Sequence, residues 1–334
     1  MLKAGAVLHI GPERVAWCEV PIEEPSPGEV LVQAEYSAIS AGTESLIFRG
    51  DMARDIELDT AISELRGRFS YPIRYGYALA GRVVRVGSDA DEAWIGRRVV
   101  TFHPHQDRAC VRLESCWSVP AEVSSQAACF LPNTESAVNL VMDAHPRLGE
   151  RFLVLGQGVV GLLTTAMLAQ FPLAELVAVD RLAGRREWAA RFGATVAETL
   201  ADWRADGDPA GAGFDGVIEL SGNMAALDQA IAVTGFGGRI VIGSWYGIRK
   251  TAIDLGGVFH RRRLSLLSSQ VSTLAADLTA RWNKPRRLAL AWDWVRRIQP
   301  ERLITHVLPP ERCQEAFELA GDPASGALQV IFSY

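Results

Sequence analysis

One segment of the chain, Phe152-Leu-Val-Leu-Gly-Gln-Gly-Val-Val-Gly161, places three glycines directly after four apolar residues. The apolar run is typical of a buried strand, and the stretch from Val159 to Gln170, which contains no proline, predicts a helix. A second apolar strand, Leu176 to Val179, follows, and Asp180 stands at its carboxyl end. Strand, G-x-G-x-x-G turn, helix, strand and terminal acid together form the pattern of a dinucleotide-binding site.

Each part of this pattern has a physical role in holding a dinucleotide. Gly156 permits the tight turn out of the strand, Gly158 has no side chain to hold off a pyrophosphate, and Gly161 lets the helix pack close to the sheet. Val159 and Val160 begin the helix, whose first N–H groups and partial positive charge attract phosphates. We therefore expect these five residues to bind the cofactor.

The acid and the arginines after the second strand bear on the choice of cofactor. Asp180 can accept both hydroxyls of the adenosine ribose, and its charge repels a 2′-phosphate. Arg181, Arg185 and Arg186 argue the other way, because a guanidinium can bind that phosphate. We predict a preference for NAD(H), with Arg181 beside Asp180 at the adenosine end, and NADP(H) remains the alternative.

The composition is that of a globular protein with no affinity for nucleic acid or membranes. Of the 334 residues, 49% are hydrophobic and 22% are charged, and the net charge of −5 offers no general attraction to nucleic acid or anionic lipid. The uncharged stretch from Phe152 to Phe171 is as long as a membrane span, but its glycines fit the strand–turn–helix pattern instead. Five scattered cysteines predict reduced thiols and a cytoplasmic protein.

The order of predicted elements divides the chain into three parts. Residues 1 to 135 contain short strands and predict an antiparallel, barrel-like region, with a strand over 29–40, a loop over 41–44 and helix around 60–67. Residues 136 to 270 alternate strands with helices and predict a parallel sheet, whose edge strand is Leu264 to Leu267. Residues 271 to 334 add a helix, Arg286 to Arg297, and then a strand, a helix and a final strand.

Over nearly its whole length the chain resembles the medium-chain dehydrogenase/reductase superfamily, of the zinc-type alcohol dehydrogenase-like kind. The matching segments are the glycine pattern above and Pro27-Gly-Glu-Val-Leu-Val32, Gly81-Arg-Val-Val-Arg-Val-Gly87, Gly96-Arg-Arg-Val-Val100 and Leu303-Ile-Thr-His-Val-Leu308. The resemblance implies an α/β fold with two domains. A GroES-like antiparallel β-barrel domain (1–135) would be completed by the return segment (271–334), and a doubly wound parallel-sheet (Rossmann) domain (136–270) would bind the dinucleotide.

The resemblance also implies an active site in the cleft between the domains and a homodimer. The dimer would form by pairing of the apolar edge strand at 264–267, since an open edge invites pairing. Ser136 falls near the position where the family contacts the nicotinamide. Ser221 and Gly222 follow a strand of the dinucleotide domain and are expected to line the cofactor cleft.

The residues that bind zinc in this family are replaced. Alignment on Gly42-Thr43-Glu44 puts Ala41 where the family has a ligand Cys, and alignment on Gly76-Tyr77-Ala78 puts Tyr77 at the ligand His. The third ligand position falls near Pro132 or Asn133, and the four-cysteine structural zinc lobe is absent from the sequence. We therefore predict membership of a zinc-free branch, with no metal.

Two histidines remain to be considered as metal ligands. His103 and His105 are two residues apart and could contact one ion. No third ligand is apparent, so a polar loop or a substrate contact is favoured.

Without zinc, charge that develops on a substrate oxygen must be stabilised by hydrogen-bond donors. Thr43 matches the hydroxyl relay position of the family, and Tyr77 stands where a ligand would point inward, so its phenol is the candidate general acid. The alternative for Tyr77 is an aromatic that only fills the former metal space. Glu44 and Glu135 are candidate bases or partners of an arginine, and Glu44 could instead be an acid that holds the loop.

These residues predict a zinc-independent NAD(H)-dependent oxidoreductase that interconverts a secondary alcohol and a ketone by hydride transfer. Its partner would be a small-molecule substrate. Two alternatives stay open: an NAD(P)H-dependent reductase of activated C=C bonds, of the quinone or enoyl type, and a non-catalytic dinucleotide-binding sensor. A hydroxyl pair formed by Thr43 and Tyr77 would serve either reaction, so the residues do not separate the two enzymes.

Overall fold

The computed structural model describes residues 2–53, 56–59, 62, 65, 67–87, 92–202 and 213–334. The chain divides into two compact units. Unit 1 comprises Met1–Pro132 and Val295–Tyr334, and unit 2 comprises Asn133–Trp294. The predicted helix around 60–67 lies largely outside the described residues. No helix in the described ranges is long and apolar enough to cross a membrane.

In chain order the described strands are β1 (Leu2–Gly11), β2 (Arg14–Ile22), β3 (Glu29–Ala38), β4 (Leu79–Val86), β5 (Arg98–Thr101), β6 (Arg108–Arg112), β7 (Cys116–Ser118), β8 (Arg151–Leu155), β9 (Glu175–Val179), β10 (Thr195–Ala197), β11 (Phe214–Glu219), β12 (Thr234–Ile242), β13 (Ser265–Ser268), β14 (Ile304–Leu308) and β15 (Gln329–Ser333). The described α-helices are α1 (Ala41–Arg49), α2 (Ser125–Ala128), α3 (Leu131–Ala144), α4 (Val159–Leu168), α5 (Ala183–Arg191), α6 (Ala226–Val233), α7 (Lys284–Ile298) and α8 (Cys313–Gly321).

Unit 1 is built on a largely antiparallel sheet. Its strand order is β14-β15-β3-β4-β5-β7, with β6 also paired to β3, while β1 and β2 form a separate antiparallel pair. Only the β14–β15 pairing is parallel among the described strands of this sheet. Val30, Val32 and Val99 are fully buried in its core. Because β15 pairs with β3, the end of the chain completes the unit that the beginning of the chain starts.

Unit 2 contains a parallel sheet. Among the described residues its strand order is β10-β9-β8-β11-β12-β13, with every neighbouring pair parallel. Along the chain, β8, β9 and β10 therefore build one half of the sheet from its centre outward. The chain then returns to the centre, and β11, β12 and β13 build the other half. Ligands of such doubly wound sheets bind outside the carboxyl ends of the strands where this order reverses. The side chains of Leu153, Val177, Val217 and Ile240 are fully buried on these strands.

The structure corrects two local predictions. The segment 41–44, predicted as a loop, is the first turn of α1, and the preceding strand ends at Ala38. The start of α1 is stabilised because Glu44 Oε1 accepts the backbone N–H of Ser40 at 2.7 Å. The helix ends at Gly50, whose φ of 76° suits glycine. The edge strand β13 begins one residue later than predicted, at Ser265.

The return of the chain to unit 1 comes at Val295, later than the predicted position 271. A buried arginine on α7 accounts for the difference. Arg287, 1% exposed, donates to Glu135 Oε1 on α3 at 3.0 Å and to the carbonyl oxygens of Val271 and Thr273 at 2.5 and 3.2 Å. These bonds keep the segment after 270 in unit 2. Glu135 is therefore the partner of an arginine, one of its two predicted roles.

Candidate functional site

The glycine turn of unit 2 is closely packed at two of its three glycines. Gly156 has a φ of 89°, and a Cβ added there would lie 2.5 Å from Ser221 Cα, in the loop after β11. A Cβ on Gly161 would lie 2.0 Å from the carbonyl oxygen of Gly156. A Cβ on Gly158 would meet nothing nearer than Arg185 Nη1 at 4.0 Å. The turn thus leaves open space beside Gly158.

The amino end of α4 faces the same turn. Gly158 is its N-cap residue and, within the described residues, no side chain caps the helix. Val159 and Val160 are the first helical residues and are partly exposed. Uncapped N–H groups at a helix start can hydrogen-bond phosphate oxygens. This end of unit 2 therefore has the donors and the space that a pyrophosphate needs.

Asp180 is linked directly to the glycine turn. Its Oδ2 accepts the N–H of Gln157 at 2.7 Å, and its Oδ1 accepts the N–H of Leu182 at 2.8 Å. Arg185 Nη1 lies 3.9 Å from Oδ2. A carboxylate has about four lone-pair sites, so two remain for ribose hydroxyls after these two bonds.

The other two arginines differ in how they are held. Arg186 donates to the carbonyl oxygens of Asp180 and Arg181 at 2.7 and 2.8 Å and pairs with Glu198 at 3.1 Å. The Arg186 guanidinium is therefore hydrogen-bonded to the backbone that follows β9. The Arg181 side chain is exposed.

A buried acid missed by the sequence analysis organises the loop after β11. Glu219 is fully buried at the end of this strand, and its Oε1 accepts the N–H of Ser221 at 2.7 Å and also the Ser221 hydroxyl. Its Oε2 accepts the phenol of Tyr246 at 2.5 Å. Burial and then the bond to Glu219 raise the pKa of Tyr246 above its usual range.

Gly222, the next residue after Ser221, is also held, because its N–H donates to Ser244 Oγ at 3.0 Å. Glu219 and Ser244 together fix the segment predicted to line the cofactor cleft. The available signal for Glu219 was an acid that directly follows the apolar pair Val217-Ile218 at the end of the strand. Ser136 lies on α3 and is partly exposed, and its contact with a nicotinamide stays a prediction.

Unit 1 brings three hydroxyl groups together. The phenol of Tyr77 donates to Ser40 Oγ at 2.5 Å, and the Thr43 side chain is a second hydrogen-bond partner of the phenol. Tyr77 and Thr43 are both partly exposed. Burial and then the charge of Glu44 raise the pKa of Tyr77 to about 12. The phenol is therefore protonated at neutral pH and can donate a hydrogen bond or a proton.

Glu44 has no face open to a substrate. The residue is fully buried, its Oε1 accepts the Ser40 N–H, and its Oε2 lies 2.8 Å from His105 Nε2. The other ring nitrogen of His105 lies 2.7 Å from Ser37 Oγ, which is itself 2.7 Å from the Tyr334 hydroxyl. We therefore correct the role of Glu44 from a catalytic base to the alternative in which it holds the 40–44 segment.

The residues at the predicted metal positions do not fit a zinc ion. Ala41 and Ala78 have no donor atom, and both ring nitrogens of His105 already have partners. His103 Nδ1 bonds the carbonyl oxygen of Pro104 at 2.9 Å, and burial lowers the pKa of His103 to about 4. Across the residues that the structure describes, no group of three His, Cys, Asp or Glu side chains could hold a metal ion.

Comparisons with known proteins agree with both units. Residues 26–134 match the alcohol dehydrogenase GroES-like domain family, and residues 159–285 match the zinc-binding dehydrogenase family. L-threonine 3-dehydrogenase from Xanthomonas axonopodis pv. citri (strain 306) is 25% identical over 95% of this chain and 96% of that protein.

Two solved structures share the fold over the whole chain. An alcohol dehydrogenase from Escherichia coli CFT073 in complex with NADH has a TM-score of 0.80 at 20% identity and 99% coverage of both chains. A protein from Sinorhizobium meliloti 1021 bound to NADP has a TM-score of 0.78 at 19% identity and 100% coverage of both chains. The predicted pairing of a GroES-like domain with a parallel-sheet dinucleotide domain is therefore confirmed.

Proposed function

Because the chain belongs to the zinc-type alcohol dehydrogenase-like medium-chain dehydrogenase/reductase superfamily, we propose that it is a zinc-independent, NAD(H)-dependent oxidoreductase. The proposed reaction interconverts a secondary alcohol and a ketone. The substrate is a small molecule, and the enzyme acts in the cytoplasm without nucleic-acid or membrane partners.

The observation that carries this proposal is the hydroxyl cluster around Tyr77. At the position of a zinc ligand, unit 1 presents a phenol that is hydrogen-bonded to Ser40 and Thr43 and partly exposed. A carbonyl that receives a hydride develops negative charge on its oxygen, and a donor placed at that oxygen stabilises the charge. The Tyr77 phenol supplies such a donor without a metal.

The proton in this reaction is assigned to the phenol. When bound, the nicotinamide supplies the hydride for reduction and accepts it in oxidation. During reduction the Tyr77 O–H turns from Ser40 Oγ to the substrate oxygen, the O–H bond breaks as its proton moves to that oxygen, and a phenolate remains. Hydrogen bonds from Ser40 and Thr43 stabilise this phenolate until it takes a proton from water. In oxidation the same steps run backwards.

The residues of unit 2 are assigned to cofactor binding. The open space at Gly158 and the uncapped start of α4 suit a pyrophosphate, and the free lone pairs of Asp180 suit ribose hydroxyls. The preference for NAD(H) follows from the negative charge of Asp180. Arg185, only 3.9 Å from that carboxylate, partly offsets the charge, so binding of NADP(H) at lower affinity is expected.

The test measures turnover and metal content on the same purified protein. After dialysis against a chelator, the protein should oxidise NADH with a panel of ketones and reduce NAD⁺ with secondary alcohols. Elemental analysis should find far less than one zinc per chain. One tightly held zinc per chain, with activity lost on its removal, would contradict the proposal.

A second panel separates the remaining functions. Turnover confined to quinones and α,β-unsaturated carbonyl compounds would identify a C=C reductase. Tight NADH binding with no turnover on either panel would identify a non-catalytic sensor.

A further inference from the structure

The imidazole of His105 is enclosed and oriented on all sides. The residue is fully buried, with Ser37 Oγ 2.7 Å from Nδ1 and Glu44 Oε2 2.8 Å from Nε2. The rings of Phe317 and Phe332 pack edge-on against it at centroid distances of 6.1 and 5.1 Å. The imidazole therefore has one orientation and no path to a substrate.

Through Glu44, His105 controls the segment that carries Thr43. The second oxygen of Glu44 accepts the Ser40 N–H at 2.7 Å, at the first turn of α1. The carboxylate thus joins the imidazole to the backbone of the residue whose hydroxyl accepts the Tyr77 phenol. A shift of the carboxylate would move Ser40 and Thr43 together.

Through Gly76, the same ring controls the segment that carries Tyr77. Gly76 has a φ of 126°, and a Cβ on it would lie 2.8 Å from His105 Nε2 and 2.9 Å from Cδ2. The backbone before Tyr77 therefore packs against the imidazole at a distance that only glycine allows. One ring nitrogen faces both the acid next to Thr43 and the glycine next to Tyr77.

When the His105 ring is neutral and Glu44 is ionised, the hydrogen bonds around the ring fix which atom donates and which accepts at each step. An ionised Glu44 only accepts, so Nε2 donates to it and Nδ1 accepts from Ser37. The one proton of Ser37 is then used, and Tyr334 must donate to Ser37 Oγ. His9 and His103 are near enough to interact electrostatically with His105, but burial lowers the pKa of His9 to about 3 and of His103 to about 4. Neither adds positive charge at neutral pH.

We propose that His105 is a positioning residue for the reaction at Tyr77, because it holds the segments of Thr43 and Tyr77 in fixed register with each other. This inference rests on the proposed function, in which Tyr77 gives its proton to the substrate oxygen. The residue does not touch the substrate.

Two substitutions at His105 make a matched pair. His105→Gln keeps an N–H near the position of Nε2 and so retains the bond to Glu44, while the shorter His105→Asn reaches only the Ser37 side. We expect His105→Asn to lower kcat by about tenfold to a hundredfold, the usual cost of misplacing a reacting group by about 1 Å. KM and the NADH Kd should stay unchanged, and His105→Gln should recover most of kcat. An equal loss of kcat in both variants would overturn the proposal.

A double-mutant cycle checks that the effect acts through Tyr77. In a Tyr77→Phe background, His105→Asn should cause no further loss of kcat, because no phenol remains to be positioned. If His105→Asn fails to fold, Glu44→Gln takes its place in the cycle, since an amide at this position turns a donor towards either the Ser40 N–H or the His105 N–H. Losses that are the same with and without the Tyr77 phenol would refute the positioning role.

A spectroscopic readout separates this inference from the proposed function. The chain has 6 tyrosines, so ¹³Cζ-labelled tyrosine gives few resonances, and Tyr77→Phe assigns the one of interest. The Tyr77 resonance should shift in His105→Asn, or in Glu44→Gln if that variant is needed, and stay in place in His105→Gln. An unshifted resonance overturns the positioning role even in an active enzyme. A shifted resonance in a protein without turnover supports it and rejects only the proposed function.

Discussion

Asp180 accepts the backbone N–H of Gln157 at 2.7 Å, so the acid after β9 is tied to the glycine turn after β8. The same carboxylate also accepts the N–H of Leu182 and lies 3.9 Å from the guanidinium of Arg185. One side chain therefore shapes the turn and sets the charge at the expected adenosine ribose. Cofactor choice and the geometry of the turn are coupled at this residue.

The first prediction concerns cofactor choice at this carboxylate. Wild-type protein should bind NADH more tightly than NADPH, because Asp180 repels a 2′-phosphate. Asp180→Ala should weaken NADH binding by about tenfold to a hundredfold, since hydrogen bonds to a charged group contribute about 1.5–3 kcal/mol. The substitution should also narrow or reverse the preference for NADH over NADPH, because the carboxylate beside Arg185 is then gone. Calorimetric titration with both nucleotides measures this.

The matched control adds Arg185→Ala to the Asp180→Ala variant. The relative gain for NADPH should then disappear. Wild-type protein that binds NADPH more tightly than NADH would contradict the prediction.

The second prediction concerns the hydroxyls of Tyr77 and Thr43. Tyr77→Phe keeps the ring and its packing against Tyr75, at a centroid distance of 6.2 Å, but removes the donor. Loss of such a donor costs about 2.7–4 kcal/mol in the transition state, or about 100- to 1,000-fold in kcat. Thr43→Val should also lower kcat. Both variants should bind NADH as the wild type does, because the glycine turn and Asp180 are unchanged.

The outcome for Tyr77 distinguishes a catalytic residue from a packing residue. Near wild-type turnover in Tyr77→Phe, with loss of stability in Tyr77→Ala, would make the tyrosine only a space-filling residue. Because the pKa of Tyr77 is raised to about 12, ionisation of this phenol should not appear in the pH–rate profile between about pH 6 and 10.

The third prediction is a loss of stability in acid caused by His9. The ring is fully buried against Phe317, and burial lowers the pKa of His9 to about 3 from an ordinary value of 6.5. Between these values the unfolded chain binds a proton that the folded chain does not, so the free energy of unfolding falls as pH falls below about 6.5. From pH 7.5 to 5.5 this amounts to about 1.4 kcal/mol for one histidine.

Denaturant unfolding of His9→Leu tests this prediction. Between pH 7.5 and 5.5 the free energy of unfolding of the variant should fall by about 1.4 kcal/mol less than that of the wild type. Both proteins keep the contribution of His103, whose pKa is lowered to about 4 and which has the same sign. The control Val15→Ala removes buried apolar atoms but no titratable group, so it should leave the pH dependence as it is in wild type. Identical pH slopes in His9→Leu and wild type would show that the buried ring does not carry the effect.

The fourth prediction is a homodimer formed along β13. This strand ends the order of the parallel sheet within the described residues, and its Leu267 side chain is 38% exposed. Open edge strands with apolar side chains favour pairing with another chain. We expect a dimer mass in light scattering at micromolar concentration, and Leu267→Lys should shift the protein towards monomer.

The control for the dimer places the same charge on another exposed apolar residue. Val84→Lys, at a side chain 48% exposed in unit 1, should leave the dimer intact. A monomer mass for the wild-type protein would refute the prediction.

Part of the candidate site follows from local patterns. In unit 2 the glycine spacing, the two apolar strands and Asp180 are neighbours in sequence, so their geometry depends on short-range sterics and strand–helix alternation. In unit 1 the prediction of a loop at 41–44 was wrong. Ala-Gly-Thr-Glu is a weak helix signal by itself, and the bond from Glu44 to Ser40 that stabilises α1 became visible only in the structure.

The sequence by itself determined the dinucleotide motif and the change from short strands to strand–helix alternation, and its resemblance to the family predicted that Ala41 and Tyr77 replace zinc ligands. Only the tertiary structure decided that Glu44 is buried against His105, that Tyr334 reaches Ser37, and that Glu219 accepts the phenol of Tyr246. The physical reason is separation along the chain. A hydrogen bond between residues 61 or 297 positions apart leaves no periodicity to detect, because it forms only when the sheet has brought distant strands together.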